Sequence, residues 1–177
     1  MGQLVIGKPA PDFQAMNWKG ETVRLADRRG RRLWLAFFRY ASCPLCNLRI
    51  HQMRERFSDW SAAGLDLVAV FQSPRQQVER YVGRQAPAFE LVCDPEETLY
   101  QLYGLKKSLA GYVNPKVAPK LLRAAKLGYL PGAPDGTKTR LPGDFLIDSS
   151  GILTDVFWGS DISEHIPFDR VETFLRS

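Results

Sequence analysis

The chain has 177 residues, of which 45% are hydrophobic and 24% are charged, and it contains 14 glycines and 12 prolines. This composition is typical of one soluble globular domain and excludes a disordered or fibrous chain. No apolar run is long enough to cross a membrane. The net charge of +5 is modest and does not by itself indicate nucleic-acid binding.

The first third of the chain predicts a hairpin, a strand and a helix. Two short extended stretches, at 13–16 and 21–25, flank a turn and predict an N-terminal β-hairpin. The apolar run from Leu33 to Phe38 is short enough for a buried strand, and residues 47–60 have helical spacing of their apolar side chains. The sequence thus predicts a strand that runs directly into a helix.

Two cysteines, Cys43 and Cys46, lie where that strand passes into that helix. Pro44 fits a first helical turn, where a backbone N–H has no partner, so Cys43 is predicted at the helix N-terminus. The helix dipole there stabilises a thiolate, which is the reactive form of cysteine. We interpret the pair as a redox-active dithiol that cycles through a disulfide. Half of a zinc site and two inert buried thiols are the alternatives.

The remaining elements alternate between strands and helices. A buried strand is predicted at 65–71 and a shorter one at 89–93, each followed by a helix, the second of which has Asp94 as its N-cap. A hairpin at 144–158 turns at Ser149-Ser150-Gly151, and an amphipathic helix follows at 167–175. This order predicts an α/β layered fold around a mixed sheet.

The segment 105–140 interrupts this pattern and carries most of the positive charge. It has one acidic residue, Asp135, and a net charge of +7 from eight basic ones: Lys106, Lys107, Lys116, Lys120, Arg123, Lys126, Lys138 and Arg140. An amphipathic helix is predicted within it at 117–127. We interpret the segment as an insertion, which is either a lid over a site or a solvated surface element. Nucleic-acid binding is disfavoured because few aromatic residues accompany the charge.

Four stretches of the chain carry a resemblance to a known family: GKPAPDF at 7–13, FFRYASCPLC at 37–46, CDP at 93–95 and LPGDFLIDSSG at 141–151. Together they resemble the thioredoxin-fold proteins of the alkyl hydroperoxide reductase and thiol-specific antioxidant (AhpC/TSA) superfamily, in particular its peroxiredoxin-like branch with CxxC. The resemblance implies a single thioredoxin-like domain over residues 1–177, with a central mixed β-sheet flanked by helices, the N-terminal hairpin as an extension and 105–140 as a basic insertion before the cis-proline strand.

The same resemblance implies that Pro142 is a cis-proline facing the dithiol. A cis bond would hold the backbone of Leu141 against an incoming disulfide substrate. An ordinary proline at the start of a strand is the alternative.

The chain departs from the peroxiredoxin pattern around the dithiol. The usual proline and hydroxyl residue before Cys43 are absent, and Phe37 stands where thioredoxin keeps a buried acid. Pro142 takes the place of the arginine that orients the peroxide, so Arg39 and Arg140 are the candidates to replace that arginine. Arg39 is also predicted to lower the pKa of Cys43.

The predicted function is that of a thiol-based antioxidant oxidoreductase that reduces peroxides or disulfides, with Cys43, Cys46, Pro142 and Arg39 as its catalytic residues. Cys43 attacks the oxidised substrate, Cys46 resolves the intermediate to a disulfide, and a cellular thiol reduces that bridge. No cofactor, metal or membrane is required, and a homodimer is left open. Because the opening residues lack a secretory leader, the expected location is the cytoplasm.

Other readings of the sequence remain. The rival function is a non-enzymatic binding module that uses 105–140 to hold an acidic partner, with the dithiol as a redox switch. A dimer stabilised by zinc between two CxxC pairs is a third reading. Cys93 is interpreted as a small buried residue rather than a second resolving thiol. His51 is expected to be solvated, and His165 has no visible partner in the sequence.

Overall fold

The computed structural model describes residues 4–176; residues 1–3, part of the opening segment considered for a leader, and residue 177 lie outside it. The described strands are β1 (Gln14–Asn17), β2 (Thr22–Arg24), β3 (Arg32–Phe37), β4 (Leu65–Phe71), β5 (Glu90–Cys93), β6 (Gly143–Ile147) and β7 (Leu153–Trp158). The α-helices are α1 (Pro44–Ala62), α2 (Arg75–Arg80), α3 (Thr98–Leu102), α4 (Leu109–Tyr112), α5 (Val117–Lys126) and α6 (Phe168–Arg176), with short 3₁₀ helices at Ala26–Arg28 and Val82–Gln85.

All seven strands form one mixed sheet in the order β2-β1-β5-β4-β3-β6-β7. The central strands β3, β4 and β5 are parallel, whereas β6 and β7 extend the sheet in antiparallel fashion on one side. The N-terminal hairpin completes the other side, where Met16 of β1 pairs with Cys93 of β5. The predicted α/β fold with a central mixed sheet is therefore confirmed, including its N-terminal hairpin.

Strand β3 separates two hydrophobic cores. Its side chains alternate between the faces of the sheet, as the pleat requires. Trp34 and Ala36 pack on the face that holds α1, whereas Leu35 and Phe37 pack on the opposite face. Both cysteines of the dithiol belong to the first of these cores. The thiols are thus held among apolar side chains at the end of the central strand.

The helix after β5 begins later than the sequence predicts. It starts at Thr98, because Glu97 adopts a left-handed conformation with φ 57° and breaks the first turn. Asp94 still satisfies the helix start, since its carboxylate accepts hydrogen bonds from the backbone N–H of Thr98 at 3.0 Å and of Leu99 at 2.7 Å. The error is therefore one of position, and the capping role of Asp94 is preserved.

Residues 105–140, called the covering segment below, leave the sheet and return to it at one place. The backbone N–H of Ser108 donates to the carbonyl of Thr139 at 2.8 Å, and Lys107 pairs with Arg140. Between these ends, α5 matches the predicted helix, with Val117 and Ala124 buried. Within residues 4–176, no helix has both the length and the apolarity to cross a membrane.

Candidate active site

The dithiol lies at the N-terminus of α1, where the sequence predicts it. Cys43 is the last extended residue before the helix, with φ −72° and ψ 122°, and Pro44 occupies the first turn. The thiol of Cys46 forms a hydrogen bond to the sulfur of Cys43. Both cysteines are free thiols and nearly inaccessible, with exposed fractions of 1% and 3%. The N-terminal N–H groups of α1 therefore act on the sulfurs where water does not screen them.

The two cysteines differ in acidity. Burial alone raises the pKa of Cys43, but the hydrogen bond from Cys46, the charge of Arg39 and the backbone N–H groups of Cys46 and Leu45 outweigh it and lower this pKa to about 6. Burial and the hydrogen bond to Cys43 raise the pKa of Cys46 well above that of an ordinary thiol. At neutral pH, Cys43 is therefore mainly a thiolate and Cys46 is the protonated partner that donates to it.

Arg39 is the cation of the site. Its side chain is 2% exposed, and its Nη1 donates to the Sγ of Cys43 at 3.3 Å while its Nη2 donates to the carbonyl of Lys138. The rings of Tyr40 and Tyr112 lie 4.9 and 5.7 Å from its guanidinium carbon. Burial disfavours the charge of Arg39, yet its pKa is raised, because the sulfurs and these tyrosines favour the cation; no carboxylate is among the groups that do so. The thiolate of Cys43 is thus the anion that balances it.

A buried polar network fixes the loop before Cys43. The side-chain amide of Asn47 donates to the carbonyls of Ala41 at 2.7 Å and Cys43 at 3.0 Å. Gln85 in turn donates to the Asn47 side-chain oxygen at 3.0 Å. On the other side, the backbone N–H of Ala41 donates to the hydroxyl of Ser73 at 2.7 Å. These bonds hold the thiolate in place without using the sulfur itself.

The covering segment closes over this loop. The hydroxyl of Ser42 donates to the carbonyl of Ala133 at 2.8 Å, and the backbone N–H of Gly132 donates to the carbonyl of Ser42 at 3.3 Å. Together with the bond from Arg39 to Lys138, these contacts join the segment to both sides of the dithiol loop. Access to the sulfurs therefore depends on the position of the covering segment.

Pro142 does not have the predicted cis conformation. No cis peptide bond occurs in residues 4–176, so the bond between Leu141 and Pro142 is trans. The N–H of Leu141 donates to the carbonyl of Lys106 at 3.0 Å, and the carbonyl of Pro142 accepts from Gly159 at 3.0 Å. These bonds continue the extended backbone into β6, which the lower-energy trans isomer accommodates. Because the N–H of Leu141 already donates to Lys106, it does not donate a backbone hydrogen bond to a disulfide substrate.

Arg140, the other candidate for an oriented cation, is held away from the dithiol. It is 4% exposed, donates to the carbonyl of Leu105 at 2.7 Å and forms an ion pair with Glu97. Its guanidinium carbon lies 5.1 Å from the ring centroid of Tyr100. Its charge is therefore compensated by a carboxylate, and of the two candidates only Arg39 contacts the dithiol.

A buried polar cluster that the sequence did not predict lies on the same face of the sheet. The carboxylate of Asp144 is fully buried and lies 3.0 Å from Nδ1 of His165, accepts from the indole N–H of Trp34 at 2.9 Å and accepts from the backbone of Ile166 at 2.9 Å. The expectation that His165 has no partner is wrong. A buried acid is thus present on β6, although Phe37 replaces the one that the thioredoxin pattern has on β3. The spacing of these residues in the sequence gives no signal of their contact.

The remaining candidate residues have lesser contacts. Cys93 is half-buried, and burial raises its pKa to about 11, so it is a poor nucleophile at neutral pH. His51 is not fully solvated: its ring lies 3.2 Å from the hydroxyl of Tyr129 and 3.4 Å from Glu55. Among the described residues, no group of three His, Cys, Asp or Glu side chains gathers as a metal site.

The chain is similar to proteins of two thiol-dependent kinds. It is 30% identical over 102 residues to a putative peroxiredoxin of Mycobacterium tuberculosis; the match covers 58% of this chain and only 65% of that protein. It is 26% identical over 168 residues to the thiol-disulfide oxidoreductase ResA of Geobacillus thermodenitrificans, covering 92% of this chain and 77% of ResA.

A solved structure and a family model agree with this similarity. The crystal structure of peroxidoxin BcpB from Mycobacterium tuberculosis superposes with a TM-score of 0.72 at 18% identity, covering 98% of this chain and 97% of BcpB. The model of the AhpC/TSA family matches residues 6–156, which include the dithiol, the covering segment, strands β1 to β6 and most of β7. The resemblance carried by the four sequence stretches is confirmed, and the chain belongs to the AhpC/TSA family.

Proposed function

We propose that the chain is a thiol-dependent oxidoreductase that reduces small peroxides, with Cys43 as the nucleophile and Cys46 as the resolving thiol. The observation that carries the proposal is the contact of 3.3 Å between Nη1 of Arg39 and Sγ of Cys43. Peroxide reduction needs a stable thiolate and a fixed positive charge beside it, and this contact brings the two together.

The reaction balances with the groups present. The thiolate of Cys43 attacks one oxygen of the peroxide, the O–O bond breaks, and the other oxygen leaves as an alcohol or water after it takes a proton. Cys43 is then a sulfenic acid, and Cys46 attacks its sulfur to form a disulfide and release water. Two cellular thiols return the pair to the reduced state by thiol–disulfide exchange. Burial and the hydrogen bond to Cys43 raise the pKa of Cys46; oxidation of Cys43 removes the thiolate that accepts this bond, which makes Cys46 easier to deprotonate for the second step.

Arg39 has a second role in the first step. Negative charge develops on the leaving oxygen as the O–O bond breaks, and a positioned donor at that point lowers the barrier. The bond from Arg39 to the carbonyl of Lys138 and its packing against Tyr40 fix its direction. In this proposal Arg39 replaces the arginine that is missing at position 142.

Two observations favour a peroxide over a protein disulfide as the oxidised substrate. The sulfurs are buried beneath the covering segment, which acts as a lid within a single domain, and a small oxidant needs less opening than a protein does. The backbone N–H of Leu141, which would pair with an extended disulfide substrate, is bonded to Lys106. Small hydroperoxides are therefore the proposed substrates.

Disulfide reduction is the second candidate. It is supported by the CxxC spacing of Cys43 and Cys46 and by the similarity to ResA over 92% of this chain. Both candidate reactions need a thiol reductant, and a reduced dithiol is the stable state in the cytoplasm. The binding-module alternative uses the net charge of the covering segment instead and requires no turnover.

The test is stopped-flow tryptophan fluorescence of the reduced protein mixed with hydrogen peroxide and, separately, with insulin. Trp34 and Trp60 lie in the same core as the dithiol and report on its oxidation. We expect rapid oxidation by peroxide that is lost in Cys43→Ser, and slow exchange with insulin. In Cys46→Ser, mass spectrometry should find a sulfenic acid on Cys43 and no internal disulfide. Faster reaction with insulin than with peroxide would select the second candidate, and inertness to both would leave the binding module.

A further inference from the structure

A cavity of about 570 Å³ lies beside the dithiol loop and is lined by α1, the turn after α2 and residues 128–132. Three arginines, Arg54, Arg80 and Arg84, contribute to its walls together with Tyr81 and Tyr129. None of the lining residues is an aspartate or a glutamate. The volume is that of a site for a small molecule rather than for a folded protein.

Among the described residues, the three arginines have no compensating carboxylate. Within residues 4–176, none of them forms an ion pair with Asp or Glu, although the ion pairs of other arginines, such as Arg170 with Asp155, are well formed. Arg54 donates to the backbone carbonyl of Gln85 at 2.5 Å. Arg80 lies over the ring of Tyr81, with 5.6 Å between its guanidinium carbon and the ring centroid. Three positive charges that converge on one cavity repel one another and favour an anionic occupant.

The chemistry of these side chains narrows the class of the occupant. A guanidinium group presents donors in a planar fork that matches a carboxylate or a phosphate. Exposed arginines without partners are common on protein surfaces, but these three share a concave wall with two phenol rings and the apolar residues Leu130 and Pro131. The cavity therefore fits a small molecule with more than one anionic group and an intervening body of mixed polarity.

The cavity is connected to the dithiol loop at two points. Asn47 lines it, and the side chain of Asn47 donates to the carbonyl of Cys43 at 3.0 Å. Gly132 lines it as well, and a Cβ atom there would lie 2.8 Å from the Cβ of Ser42, the residue before Cys43. Only a glycine fits at this contact, so the wall of the cavity and the dithiol loop touch directly. An occupant therefore lies against Asn47 and Gly132, two residues that contact the dithiol loop.

We propose that this arginine cavity binds the carboxylates of a small anionic peptide thiol, which is the reductant of the Cys43–Cys46 disulfide. The inference rests on the proposed function, which requires such a thiol. One ligand thiolate attacks the disulfide, forms a mixed disulfide and releases the other protein sulfur as a thiolate. A second ligand thiol then attacks the mixed disulfide. The protein dithiol is restored and the ligand leaves as its own disulfide, so two thiols supply the two electrons.

The test compares thiols of different charge as reductants of the oxidised protein. Glutathione serves as the anionic peptide probe, β-mercaptoethanol as the neutral one and cysteamine as the cationic one. The double variant Arg80→Gln/Arg84→Gln removes two charges from the cavity. Its matched control, Lys116→Gln/Lys126→Gln, removes two charges from the exposed residues of the covering segment. Rate constants for re-reduction are read by stopped-flow fluorescence, and binding of the non-reducing analogue S-methylglutathione is measured by calorimetry.

We expect the ratio of the glutathione rate to the β-mercaptoethanol rate to fall about tenfold or more in the arginine variant, as loss of charge-assisted bonds implies. The ratio should stay within about twofold in the lysine control, since Lys116 and Lys126 do not line the cavity and act on its occupant only through screened, longer-range charge. Binding of S-methylglutathione should weaken in the arginine variant alone. In the same variant, the rate constant for re-reduction by cysteamine should increase relative to the rate constant for glutathione.

An equal ratio in the two variants overturns the proposal, as does binding of inorganic phosphate at the arginines without binding of S-methylglutathione. Failure of the proposed function is distinguishable from these results. If hydrogen peroxide does not form the Cys43–Cys46 disulfide, the disulfide can be made with diamide, and the re-reduction and calorimetry experiments still report on the cavity.

Discussion

Two buried arginines, Arg39 beside the dithiol and Arg140 at the end of the covering segment, have different partners. Arg140 is paired with Glu97 and anchors the end of the covering segment. Arg39 donates to Cys43 and has no carboxylate among the groups that favour its charge. A buried cation with a carboxylate partner is satisfied and contributes to structure, whereas a buried cation balanced by a thiolate lowers the pKa of a nucleophile. The comparison predicts chemical effects from changes at Arg39 and structural effects from changes at Arg140.

The largest effect is expected at the thiolate itself. Cys43→Ser replaces a group that ionises near pH 6 with a hydroxyl that does not ionise at neutral pH, so peroxide reduction should fall by at least about 10³-fold. Steady-state peroxide consumption with dithiothreitol measures this. Circular dichroism should remain unchanged, because the two side chains are similar in size. A Cys43→Ser protein that retains turnover would assign the nucleophile to Cys46.

The second effect tests the structural arginine. Glu97→Gln leaves Arg140 buried without its carboxylate and weakens the contact with Lys107, so the free energy of unfolding should fall by about 2 to 3 kcal/mol. Urea denaturation measures this change, and hydrogen exchange should increase most in residues 105–140. Glu96→Gln is the matched control, because Glu96 is exposed. Equal stability of the two variants would show that the ion pair does not hold the segment.

The third effect tests the role of Arg39 in lowering the pKa of Cys43. Arg39→Gln removes the positive charge beside Cys43, so the pKa of Cys43 should rise and the rate of alkylation by iodoacetamide at pH 7 should fall about tenfold. The ultraviolet absorbance of the thiolate, followed against pH, gives the pKa directly. Lys138→Gln serves as the control, since Arg39 uses only the backbone carbonyl of Lys138. An unchanged pKa of Cys43 in Arg39→Gln would show that Arg39 does not stabilise the Cys43 thiolate.

The smallest effect is expected at the third cysteine. Cys93 lies on β5, and its pKa of about 11 keeps it protonated at neutral pH. Cys93→Ser should retain peroxide turnover within about twofold, because a protonated thiol is a weak nucleophile. Peptide mapping of the oxidised protein should find only the Cys43–Cys46 bridge. A bridge that includes Cys93 would identify it as a second resolving thiol.

Local sequence signals predicted the parts of the molecule that local physics determines. An apolar strand followed by Pro44 places Cys43 at a helix N-terminus. Arg39 lies four residues before Cys43 and contacts its sulfur. These features depend on helix termini and short spacing. The continuous apolar run from Leu33 to Phe38 likewise indicates a buried strand, and β3 does contribute side chains to both cores.

The features that the sequence did not reveal depend on contacts between distant residues. His165 meets Asp144 across 21 positions, and Arg39 meets Lys138 across 99. The prediction of a cis bond before Pro142 is wrong: the bond is trans, and the backbone there is extended and bonded to Lys106 through the N–H of Leu141. The arginines of the cavity come from α1, α2 and the 3₁₀ helix that follows, and no spacing rule connects them.

The pairing of Arg39 with the Cys43 thiolate is tested most directly by the pH dependence of the second-order rate constant for oxidation of the reduced protein by hydrogen peroxide. The pKa of Cys43 is lowered to about 6, so the thiolate is lost as the pH falls through that value and is fully formed above it. We expect a rate constant that rises with an apparent pKa near 6 and is level from pH 7 upward. A rate constant that still rises toward pH 9, as for an ordinary thiol, would contradict the pairing of Arg39 with the Cys43 thiolate.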